Sequence, residues 1–156
     1  MQPDARTDFG LLLAQAFNVY IEHLHRELAA RGFSDLRPTF GLALRALHRS
    51  PRTLTDLARE LGVTKQAAAK VVGELETRSL IEREPSPADG RSTLLRLSPR
   101  GTSLVAVAIR IGNAVERDLA RDLGDDAAAH IRAGLERLAY DPSWSGGPPA
   151  RARRVW

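Results

Sequence analysis

Two groups of side chains in this chain have the types and spacing to grip a polyanion and read its bases. The first is Thr64, Lys65, Gln66, Ala67, Ala69 and Lys70. At 3.6 residues per helical turn these point away from Ala68, Val71, Val72 and Leu75, which share an apolar side. A helix N-terminus presents free N–H groups and partial positive charge, a setting that suits a phosphate, and Thr64 and Lys65 stand there. The amide of Gln66 can bond an adenine edge bidentately, and the methyl of Ala67 can touch a thymine methyl. Ala69 and Gly73 are small enough to let the helix axis approach a groove floor. Gly73 costs about 1 kcal/mol inside a helix, a cost that asks for a compensating role.

The second group sits in the loop 85–92, PSPADGRS. Asp89 stands two residues before Arg91. In a tight turn it can accept from backbone N–H groups and from the guanidinium, which would hold Arg91 extended. An extended arginine fits a narrow, electronegative minor groove. Ser92 closes the loop, and Arg83 and Arg96 on its flanks are within range of phosphates. Each group has a plainer reading: a solvated helix face, and an Asp-Gly turn chosen for its turn chemistry. Their succession in one chain is what favours DNA.

The elements that must position these groups are legible. Asp8 caps a long helix over 9–28 with an apolar stripe of Phe9, Leu13, Ala16, Phe17, Tyr20, Leu24 and Leu28, and Gly32 ends it. A second helix over 38–49 turns Phe40, Ala43, Leu44 and Leu47 inward, and Ser50-Pro51 stops it. Thr53 and Asp56 form a capping-box-like pair before Leu54, Leu57, Ala58 and Leu61. Gly62 ends that third helix in a left-handed turn, and Thr64 caps a fourth over 65–79. Two helices so joined are a helix-turn-helix. Strands over 81–84 and 92–97 make a hairpin, with Thr93, Leu95 and Leu97 on one face. Ser98-Pro99 opens a fifth helix striped by Leu104, Ala108, Ile111, Val115 and Leu119. Gly124 breaks it, and Asp125 caps a last helix carrying Ile131, Leu135 and Leu138. The fold class is therefore mainly α with a small β-hairpin: a winged helix-turn-helix domain (37–98), a helical dimerisation region (8–33 and 99–139), and an Arg-rich flexible tail (140–156). The stripes on the outer helices are too long for a three-helix winged domain to bury. A two-fold dimer would bury them and space the two recognition helices about 34 Å apart, one DNA turn; a bundle within one chain is the alternative.

Composition agrees and excludes other classes. The 156 residues carry a formal charge of +4, with 23 Lys+Arg of which Lys65 and Lys70 are the two lysines. Arginine is the better partner for phosphate and guanine, although a GC-rich genome gives the same bias. Without cysteine there is no disulfide, thiolate zinc site or thiol switch. No apolar run nears the roughly 20 residues of a membrane span. The start lacks the pattern of a secretory signal, so the expected location is cytoplasmic. His23 and His25 are two apart and share no helix face for a metal; His48 and His130 are isolated. No phosphate-loop, nucleophile-elbow or metalloprotease string is present. No cofactor or catalytic residue is expected.

The segment 53–101 resembles the DNA-binding core of the MarR family of bacterial transcriptional regulators. The family pattern is D-x-R in the wing, a leucine-bearing strand, then L-[ST]-x-x-G, here Asp89, Arg91, Leu95, Leu97, Ser98 and Gly101. The helix-turn-helix pattern LA-x-x-L-G-V-[ST]-x-x-[AT] runs from Leu57 to Ala67. With flanking helices the resemblance covers about 8–139. It implies a homodimer on double-stranded DNA, with Lys65, Gln66 and neighbours reading the major groove and Arg91 in the flanking minor groove. Thr64 and Lys70 would take phosphates. It further implies a repressor released by a small aromatic ligand. The chain departs from the pattern at Ala69 and Lys70, where a hydroxyl residue and an arginine are common, and at Ser79, where a glycine is. A recognition face with fewer polar groups shifts affinity onto the wing. Two rival readings are an architectural DNA-binding protein without an effector, and an enzyme on the same fold, for which no nucleophile–base pair is present.

Overall fold

Helix caps and turn residues divide this chain into its elements. The computed structural model describes residues 8–87 and 92–140, which fall into two units divided between Leu36 and Arg37. The first unit is a single long helix, α1 (Phe9–Ala29), capped by the Asp8 carboxylate, which accepts from the Leu11 N–H at 3.1 Å. Gly32, at φ +84°, follows its end, and the Phe33 N–H reaches back to the Leu28 carbonyl. Leu28 and Phe33 are buried, whereas Phe9, Leu11, Leu12, Phe17 and Val19 are exposed.

The second unit runs α2 (Pro38–Arg49), β1 (Arg52–Thr53), α3 (Leu54–Leu61), α4 (Lys65–Thr77), β2 (Ile81–Pro85), β3 (Thr93–Leu97), α5 (Pro99–Leu123) and α6 (Asp125–Tyr140). The architecture is the mainly α winged helix-turn-helix that the sequence predicts. Its sheet has three antiparallel strands in the order β1-β3-β2. β3 pairs Leu95 with Arg52 on one side and with Arg83 on the other. Its core is a cluster of Phe40, Leu57, Val72, Leu75, Leu80 and Leu95, which α2, α3, α4 and the sheet close around.

The structure adjusts several expectations. β1 is new: two residues after Pro51 are too short to display an alternating pattern. α4 ends at Thr77, two residues before the expected 79. Val71 is half-buried, while Ala68, Val72 and Leu75 are fully buried. Asp125 is the first residue of α6, not its cap; the Gly124 carbonyl accepts from the Ala128 N–H instead. Leu119, Ile131 and Leu135 are exposed.

The end of α4 is a tight knot. The Ser79 N–H bonds the Glu76 carbonyl and the Leu80 N–H bonds the Leu75 carbonyl. This is a Schellman closure, which needs a left-handed residue at its turn. Ser79 takes that role at φ +55°, where a Cβ costs roughly 1–2 kcal/mol. The start of α5 docks on the same knot. Ser98, 4% exposed, donates its N–H to the Leu80 carbonyl at 3.1 Å and its hydroxyl to the Ser79 carbonyl at 2.6 Å. The same hydroxyl oxygen caps α5 by accepting from the Gly101 N–H. A Cβ on Gly101 would lie 1.9 Å from the Leu80 carbonyl oxygen. Both partners are backbone, so neither can swing aside. Gly101→Ala is expected to lower unfolding free energy by about 3 kcal/mol, near the upper end for overpacking. Ser79→Gly is expected to raise it by up to about 1 kcal/mol, the left-handed cost less the added unfolded-state freedom. Urea titrations of the two variants against wild type check both signs.

Candidate nucleic-acid interface

The helix-turn-helix is fastened at each joint by short-range polar bonds. The Thr53 hydroxyl oxygen accepts from the Asp56 N–H at 3.1 Å and donates to the Asp56 carboxylate at 2.7 Å. That donated bond, helped by Arg59, holds the Asp56 carboxyl below its usual range. Arg49 and Arg52 both pair with Glu60, and the Arg52 Nε–H also donates to the Ala46 carbonyl. These bonds tie the end of α2, β1 and α3 together. Gly62, at φ +66°, turns the chain, and the Val63 N–H returns to the Ala58 carbonyl. Thr64 then caps α4 by accepting from the Ala67 N–H at 3.1 Å. Its hydroxyl proton remains a donor for an outside acceptor.

On α4, Lys65, Gln66, Ala67, Ala69 and Lys70 are all exposed, opposite the buried Ala68, Val72 and Leu75. At 100° per residue, Gln66, Lys70, Gly73 and Thr77 form the centre of the outward face. A Cβ built on Gly73 meets nothing within 4 Å, so no packing among the described residues requires a glycine there. Each flank of this face carries a glutamate clamped by an arginine from another element. Glu74 pairs with Arg37 at 3.1 Å. Glu76 takes Arg83 of β2 with two bonds, Nε to Oε1 at 2.5 Å and Nη2 to Oε2 at 3.2 Å, and the carboxylate raises the Arg83 guanidinium further above its usual pKa. Sequence reading missed both clamps. Glu76 lies eleven residues, about three turns, beyond Lys65, so a helical wheel would have set the two on one flank. Its partner, by contrast, is decided by where the hairpin packs. Thr77 was likewise passed over, although it stands one turn beyond Gly73, whose carbonyl its hydroxyl bonds at 2.9 Å.

In the wing, Arg83 and Arg96 lie on opposite faces, because Arg83 pairs with Leu95 while Glu82 pairs with Arg96. Arg83 is on the α4 side. Arg96 faces the other way, between Glu82 at 2.7 Å and Glu84 at 2.9 Å. A strand pattern could not show that both arginines are engaged by carboxylates. Ser92 is half-buried, and its carbonyl accepts from the Ser86 N–H at 2.8 Å to close the loop base. Asp89 and Arg91 lie outside the described residues, as does the tail from 141. The described part of the interface is therefore one uncluttered helix face beside a wing strand, with cations at the helix start and each flank neutralised.

Residues 34–92 match the MarR family model. That match takes in the helix-turn-helix of α3 and α4 and the strand β2. Over 55 residues the chain is 36% identical to the transcriptional regulator HosA of Escherichia coli O111:H-, a match covering 35% of this chain and 41% of that relative. The chain thus spans less than half the length of that curated relative. Likeness to solved structures is longer. A probable transcriptional regulator from Pseudomonas aeruginosa shares 27% identity at a TM-score of 0.64, over 85% of this chain and 97% of that one. The transcriptional repressor CouR, solved bound to a 23-mer DNA duplex, shares 28% identity at 0.65, over 84% and 92%. Each of these relatives is named as a transcriptional regulator or repressor. Among the described residues no helix is long and apolar enough to cross a membrane.

Gly73 offers a direct check on whether this helix face is shaped for something outside the fold. With open space around it, Gly73→Ala is expected to stabilise the isolated protein by about 1 kcal/mol, the helix-interior difference. Thermal or urea unfolding measures this; destabilisation would mean that the glycine serves internal packing.

Proposed function

We propose that this chain is a sequence-specific DNA-binding transcriptional regulator of the MarR type. In this reading it is a repressor, working as a homodimer on a pseudo-palindromic operator and released by a small aromatic ligand. The observation that carries the DNA-binding reading is the outward face of α4. It is exposed from Lys65 to Lys70, lined by small and hydrogen-bonding side chains, and kept clear between two ion-paired flanks. Lys65, Gln66, Ala67 and Ala69 would face the major groove, with Thr64 and Lys70 on phosphates. Asp89 and Arg91, with Ser92 at the loop base, would serve the minor groove and Arg96 the backbone beside it, with Arg83 reaching that backbone only when freed from Glu76. The likeness to CouR in its DNA complex supports the choice of partner and of repression. Support for two-fold assembly comes from the exposed apolar residues: Phe9, Leu12 and Val19 on α1, and Ile131 and Leu135 on α6. The ligand rests on the family resemblance.

The deciding experiment is fluorescence-anisotropy binding to DNA upstream of the protein's own gene and to scrambled DNA of equal length, at 0.15 M salt. The expected result is a preference of about a thousandfold or more, with two subunits per site. Equal, salt-sensitive binding to both would favour the architectural reading. Arg91→Ala is expected to weaken operator binding by about 1–3 kcal/mol, the scale of one good groove contact, whereas Gln66→Ala should relax base preference at one position per half-site.

A further inference from the structure

The Glu76–Arg83 clamp sits where the recognition helix meets the wing. Glu76 is in the last turn of α4 on the flank shared with Lys65 and Ala69, and Arg83 approaches it from the α4 side of β2. The pair is bidentate yet wet: the two side chains keep 30% and 47% of their surface. An ion pair this exposed adds little to folding. The sheet does not need it to hold the hairpin in place, since β3 is already paired on both edges. Its clearer consequence is electrostatic. Arg83 is the described wing arginine on the α4 side, and its charge is cancelled by a carboxylate that would itself face the phosphates flanking the groove.

We propose that Glu76 is a brake on DNA affinity: it holds Arg83 in the free protein and competes with phosphate for its guanidinium. Arg83 is thus a latent phosphate contact that the wild-type complex uses little. Glu76 acts through Arg83 and is a positioning residue rather than a reader of bases. This inference rests on the DNA-binding reading above.

The test is binding of full-length protein to its operator across a salt series, for wild type, Glu76→Gln, Arg83→Gln and the double variant. Glu76→Gln keeps the side chain's size but removes its charge and replaces one of its two acceptor oxygens with an NH2 donor, so the bidentate hold on Arg83 is lost. The expected gain is about three- to five-fold in affinity, the scale of one exposed ion pair released. The plot of log affinity against log salt should also steepen by about 0.9 per bound subunit, the signature of one more phosphate contact. A pair that merely stiffened the wing would leave this slope unchanged. Arg83→Gln should change wild-type affinity less than twofold and should abolish the gain in the double variant. Unchanged or weaker binding by Glu76→Gln, in a wild type that binds, overturns the brake alone. So does a gain that survives in the double variant, because then bulk charge and not Arg83 is responsible. A wild type that binds no DNA overturns the underlying reading instead.

Discussion

The carbonyl of Leu80 is the point on which the winged unit turns. It receives the Ser98 N–H, lies against Gly101 with no room for a Cβ, and follows directly on the left-handed Ser79. Three elements converge there: the end of α4, the start of β2 and the start of α5. The Ser98 hydroxyl serves two of them at once, donating to the Ser79 carbonyl and accepting from the Gly101 N–H. Because these contacts are backbone to backbone or through a short side chain, they leave little freedom in the angle between helix and wing. That angle decides whether a helix face and a hairpin can meet one duplex together.

Away from this knot, charge does the arranging. Of the wing arginines that the sequence offers for DNA, the two described ones are engaged within the fold, Arg83 with Glu76 and Arg96 with Glu82 and Glu84, and Arg37 is likewise held by Glu74. Net positive charge is therefore a poor guide to available positive charge here. The cations on the exposed face of α4 are Lys65 and Lys70, both at its N-terminal half, where the helix dipole adds to them. The C-terminal half carries the two glutamates. The helix is thus polarised along its length, positive where it would enter a groove and acidic where it returns to the wing and to Arg37.

Much of this was legible because it depends on near neighbours. Asp8, Thr53, Thr64 and Ser98 act as caps through bonds spanning three residues, and Gly62 takes a conformation few other residues tolerate. Strand alternation located the hairpin, and apolar spacing picked out Phe40, Leu44, Leu57 and Leu75 as core. The exposed set on α4 followed from the same periodicity. Such signals work because the physics that makes them, a hydrogen bond or a helical repeat, acts over a few residues.

What the sequence determined alone, then, is the order of elements, their caps and the candidate reading face. Tertiary structure decided the rest. Two-residue β1 exists because β3 offers it a free edge, and no local preference announces it. The reason for Gly101 is a carbonyl twenty-one residues earlier, invisible until α5 packs against the α4–β2 turn. Which carboxylate holds which arginine depended on the hairpin register, since a shift of one residue would exchange the faces of Arg83 and Arg96. Contacts between distant segments carry no local pattern in the chain, so only the fold could assign them.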